Sequence, residues 1–79
     1  MLILSQDEDR IINTDTTQVM RTAIDDKYIL ATINSDCNTG ETRNVFLGEY
    51  YYKDRCKEIF KDIMKKADVG ARVYYMPKE

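Results

Sequence analysis

The chain has 79 residues, 33% of them charged, and its 12 Lys and Arg nearly balance 14 Asp and Glu for a net charge of −2. That length holds one domain with one modest core, and leaves no room beside it for a deep, water-free substrate cavity. The balanced charge excludes the strong basic field that sequence-independent binding to nucleic acid or to an anionic membrane requires.

Residues 2–5 and 10–13 are short apolar segments on either side of the acidic turn Gln6, Asp7, Glu8 and Asp9, a pattern that predicts a hairpin. Thr14, Asp15 and Thr16 turn the chain again. Residues 17–24 mix Val, Met, Thr and Ile in near alternation, and Asp25, Asp26 and Lys27 connect them tightly to a strand over 28–34. In that strand Ile29, Ala31 and Ile33 share one side and Tyr28, Leu30 and Thr32 the other. A polar loop follows over 35–42, where Gly40 suits a positive φ. The next strand, over 43–51, is expected to set Val45, Leu47 and Tyr51 on one face and Phe46 and Tyr50 on the other.

Cys56, Ile59, Phe60, Ile63, Met64 and Ala67 recur at steps of 3, 1, 3, 1 and 3, which is one face of a helix over residues 53–67. Its N-cap is weak, at Tyr52 or Lys53, unless Asp54 takes the position and shortens the helix. Lys65 and Lys66 suit the last turn, Gly70 suits the stop, and Asp62 stands one favourable step before Lys66. The face of Ile59, Phe60, Ile63 and Met64 is expected to centre the core. A last strand over 71–76 ends at Pro77. The order β-β-β-β-β-α-β describes an α+β fold over residues 1–79. Short connections favour an antiparallel meander of about five strands packed by the helix, followed by the C-terminal strand.

Catalytic chemistry finds little to stand on. The chain has no histidine, so the usual general base, the usual activator of a Ser or Cys nucleophile and the commonest zinc ligand are all missing. Cys37 in its polar loop has no cationic neighbour before Arg43 to activate it and is read as inert, while Cys56 falls on the helix's apolar stripe. Two cysteines do not make the disulfide framework of a secreted mini-domain. The acidic turn lacks the spacing of a calcium loop and is read as solvated, so no metal and no cofactor are expected. No apolar run is long enough to span a membrane, nor does the start resemble a secretory signal, so a cytoplasmic, non-enzymatic protein is expected.

The unusual feature is tyrosine: Tyr28, Tyr50, Tyr51, Tyr52, Tyr74 and Tyr75, with no Trp. Alternation turns some of Tyr50, Tyr51, Tyr52, Tyr74 and Tyr75 away from the core, where tyrosine serves well at protein interfaces. These five are the candidate interface residues, and a homo-oligomer, with a dimer favoured, is the expected partner. A nucleic-acid-binding accessory protein is the alternative, provided that Arg10, Arg21, Arg43 and Arg72 converge with tyrosines on one sheet face. A small hydrolase or metabolite binder has the least support.

Leu2, Ile3, Leu4, Ser5, Gln6 and Asp7, then Ile11, Ile12 and Asn13, then Leu47, Gly48, Glu49 and Tyr50 before a lysine-rich helix, resemble a pattern in small proteins of Gram-positive bacteria and their phages. The resemblance implies a mobile-element origin and carries over no catalytic residue.

Overall fold

The structure, a computed structural model, describes residues 1–36 and 40–79, and Cys37 lies outside them. The strands are β1 (Leu2–Leu4), β2 (Ile11–Asn13), β3 (Thr17–Ala23), β4 (Tyr28–Asp36), β5 (Glu41–Glu49) and β6 (Val73–Tyr75), with one helix, α1 (Lys53–Asp68), before β6. The fold is α+β, as the patterning predicts. The expected five-strand meander is divided, however. β3, β4 and β5 form one antiparallel sheet, whereas β1 pairs antiparallel with β2 and parallel with β6 in a second sheet.

The division falls at Asn13. Its side chain accepts from the Asp15 N–H, and its carbonyl accepts from the hydroxyls of Thr16 and Thr17 at 3.1 and 3.0 Å, which locks a 3-10 turn over Thr14–Thr16. Short Thr and Asp side chains compete in this way with ladder pairing, and here they steer the chain out of the first sheet. β6 closes the first sheet by parallel pairing, which a short connection could not supply but α1 can.

The β3–β4 turn follows from its two aspartates. Asp25 and Asp26 take φ of 57° and 59°, the left-handed values of a tight hairpin turn, and Thr22 steadies Asp26 through its hydroxyl at 2.9 Å. Gly40 has φ of 73°, as its place in the β4–β5 connection predicts. Both flanking strands extend further than the polar sequence suggests, because Asn34 pairs with Thr42 and Asp36 with Glu41.

α1 begins at Tyr52 without a side-chain cap, and closes where the Gly70 and Ala71 N–H groups return to the carbonyls of Ala67 and Lys66. Its buried residues are Cys56, Ile59 and Ile63. Phe60 is only partly buried and Met64 is 71% exposed, so the core-facing stripe is narrower than the periodicity implies. Asp62 accepts a hydrogen bond from Tyr74 rather than serving Lys66, and Arg55 pairs with Glu58 at 2.6 Å within the helix. The core is completed by Ile3 and Ile12 from the first sheet, Ile29, Ala31, Val45 and Leu47 from the second, and Tyr74 and Met76 from the C-terminal segment.

One irregularity decides where the tyrosines point. Ile29 pairs with Gly48 but Leu30 pairs with Phe46, so Leu47 is an extra residue in β5, a β-bulge. An extra residue reverses the in–out phase of everything after it. Val45 and Leu47 face the core as expected, but beyond the bulge Tyr50 turns inward and Tyr51 outward, the reverse of the simple alternation.

Candidate protein-interaction surface

Two of the five candidate tyrosines are core residues, not surface ones. Tyr50 is 2% exposed and its hydroxyl donates to the Pro77 carbonyl at 2.8 Å; Tyr74 is 6% exposed and donates to Asp62 Oδ2 at 2.8 Å. Burial pushes the Tyr50 phenol up to about 12, with Cys56 adding to the shift and Arg55 opposing it. Burial and then the Asp62 carboxylate push Tyr74 up further still. Both groups thus hold their protons more tightly in the fold than in the unfolded chain, where the ordinary value is 10.0. The stability they provide is complete below pH 10 and is lost as pH rises from there through about 12. A pH titration followed by phenolate absorbance and far-ultraviolet circular dichroism should show these two tyrosines ionising late, together with loss of helix. Six phenols ionising as one ordinary class in a folded protein would contradict their burial.

Tyr51 and Tyr52 are exposed and meet edge to face at 4.8 Å, with Lys27 Nζ 6.0 Å from the Tyr51 ring centroid. They border a cleft of about 570 Å³ with Glu49, Arg55, Lys78 and Glu79. Its cations already have partners. Arg55 donates to the Glu79 carbonyl as well as to Glu58, and Lys78 donates to the Gln6 carbonyl at 2.6 Å. Gln6 itself clips the sheets together: its side-chain amide accepts from Glu49 N–H and donates to the carbonyls of Glu49 and Lys78. The cleft is therefore largely a seam that fastens the C-terminus.

Tyr75, 70% exposed, lies in a different setting. The register places Leu2 beside Asn13 and Val73, and Leu4 beside Ile11 and Tyr75. These six share the outer face of the first sheet, opposite the buried row of Ile3, Ile12 and Tyr74. Five of the six are apolar, and Leu2, Ile11, Val73 and Tyr75 are all exposed. A groove of about 400 Å³ lined by Ile11, Ile33 and Thr16 continues this surface. A contiguous apolar sheet face of this kind marks a contact site far better than scattered exposed residues do. Sequence reasoning missed Leu2 and Ile11. The available signal was that β1, β2 and β6 are apolar at nearly every position, the mark of strands covered on both faces.

The other candidates resolve as follows. Arg10 sits 3.9 Å from Asp9, and Arg72 directly precedes β6. Arg21 is paired with Leu30 and Arg43 with Ile33, neighbours of opposite parity, so these two lie on opposite faces of the second sheet. The four arginines do not converge. In the acidic turn, the Ser5 hydroxyl bonds Asp7 at 2.6 Å and holds its carboxyl below the ordinary 3.8, with Asp9 adding to the effect. Among the described residues no three His, Cys, Asp or Glu side chains gather as a metal site. The Cys56 thiol is buried and pushed up by that burial and by Asp26, the wrong direction for a nucleophile. Among the described residues no helix is long and apolar enough to cross a membrane. No protein-family model matches the chain, and no curated protein or solved structure matches it either.

Proposed function

We propose that this chain is a non-catalytic interaction module that pairs with a second copy of itself through the outer face of β2, β1 and β6. The observation that carries this is the contiguous apolar surface of Leu2, Leu4, Ile11, Val73 and Tyr75 on one sheet face. Covering apolar area yields about 25 cal/mol per Å², and a symmetric pairing covers the same patch twice. Tyr75, a large ring with a polar tip, is the natural anchor. Three strands of three residues make a footprint only about 14 by 10 Å, well short of the roughly 800 Å² per partner of a standard interface. The expected dimer is therefore weak, with a dissociation constant on the order of 100 μM, and the groove at Ile33 extends its contact.

Sedimentation equilibrium tests this directly. At about millimolar concentration (on the order of ten times such a dissociation constant) the mass should approach twice 9.3 kDa. Tyr75→Glu and Ile11→Glu, on different strands of the same face, should each restore the monomer while helix content stays unchanged. Tyr51→Glu, in the C-terminal seam, should leave the dimer intact. A monomer at every concentration, or a dimer indifferent to Ile11→Glu, would sink the proposal. Tyr74→Glu is no test of the interface, because Tyr74 is a core residue.

A further inference from the structure

A second apolar surface lies between α1 and β3, and its chemistry is different. A groove of about 470 Å³ runs between α1 and β3, lined by Met1, Met20, Phe60, Ile63, Met64 and Ala67. We propose that it is a docking site for an acidic amphipathic helix of a partner protein.

Three observations select that occupant. The first is shape. The helical wall from Phe60 to Ala67 covers two turns, about 10 Å, which suits apolar anchors spaced i, i+3 or i+4, and i+7 on a partner helix. The methionines add adaptability, since unbranched thioether side chains repack around a range of anchors.

The second is charge. Lys53, Lys57 and Lys61 are spaced four residues apart, so they form a cationic row beside Phe60 and Met64, and Lys61 borders the groove itself. Lys57 is held 3.6 Å from Asp26, whereas among the described residues neither Lys53 nor Lys61 is in an ion pair. Asp54 and Asp68 flank this side of α1 at its two ends, two turns either way from Lys61, which leaves Lys61 as the cation that borders the groove. In a chain of net charge −2, such a row beside an apolar groove complements carboxylates.

The third observation disfavours the other occupants. An extended strand would have to add to the β3 edge, but the register of β3 breaks between Thr17 and Val19, and such a bulge twists an edge away from pairing. The helix of a second copy would bring its own lysine row against this one. A partner helix with glutamates flanking its apolar stripe meets neither obstacle.

The test uses methyl-labelled methionine in the intact chain and a synthetic helical peptide of Leu, Ala and Glu, with leucines at i, i+4 and i+7. The Met1, Met20 and Met64 methyl resonances should shift on titration, while Met76, buried in the core, stays fixed and reports that the fold is intact. Lys61→Glu should weaken binding about tenfold, in line with one lost charge contact. Met64→Lys, at an exposed position, should abolish it with the Met76 signal unchanged. The proposal is overturned if the peptide causes no shift at millimolar concentration, or if a peptide with lysines in place of glutamates binds equally well. It is also overturned if the three methyls move with protein concentration alone, which would make the occupant a second copy.

Discussion

Gly48→Ala is expected to lower the melting temperature by on the order of 10–20 °C, an effect out of proportion to one methyl group. The bulge at Leu47 turns Gly48 toward the core, where the Tyr50 ring lies directly against it. A Cβ at Gly48 would stand 2.8 Å from Tyr50 Cε2 and 2.9 Å from its hydroxyl oxygen, closer than nonbonded atoms tolerate. The ring cannot simply swing aside, because it is buried and its hydroxyl is bound to Pro77. Overpacking of this kind costs about 1–3 kcal/mol, and each kcal/mol is worth roughly 4–8 °C in a domain of this size. A double-mutant cycle isolates the cause. In a Tyr50→Leu background the clash is gone, and Gly48→Ala should cost far less than in the parent. Thermal melts of the four proteins measure it, and equal costs in both backgrounds would show that the ring is not responsible.

The same bulge explains why the tyrosines were only partly legible. The helix could be read because its apolar spacing is long and regular, and α1 starts at Lys53 as that spacing predicts and ends at Asp68, one residue later. The strands were legible as segments. Their partners were not, since pairing depends on the Asn13 turn and on the reach of α1, neither of which alternation records. A single extra residue in β5 then reversed the phase at Tyr50 and Tyr51, and no feature of the residues Val45 to Glu49 announces it except the glycine. The interface candidates narrow accordingly. Tyr75 stays on an open sheet face, Tyr51 and Tyr52 border a seam, and Tyr50 and Tyr74 spend their hydroxyls inside the fold. Leu2 and Ile11 escaped notice because each belongs to a strand of three residues, too short for periodicity to separate two apolar faces.

The helix stripe yields the second large effect, and it ranks residues that the spacing alone treats as equals. Ile59→Ala is expected to cost about 3–4 kcal/mol, Phe60→Ala about 2 and Met64→Ala less than about 0.5. Ile59 is fully enclosed in the core, so truncation removes its transfer free energy and leaves a cavity. Phe60 is larger but stands at the mouth of the α1–β3 groove, where water can refill the space and part of the ring was never dehydrated. Met64 keeps most of its surface in solvent, and alanine is the better helix former, so little is lost. A chain this small commands on the order of 5–10 kcal/mol, so Ile59→Ala should leave a protein that is partly unfolded at physiological temperature. Urea melts of the three variants, compared at constant m-value, settle the order. If Phe60→Ala or Met64→Ala proves as damaging as Ile59→Ala, the groove is closed in solution and both side chains belong to the core.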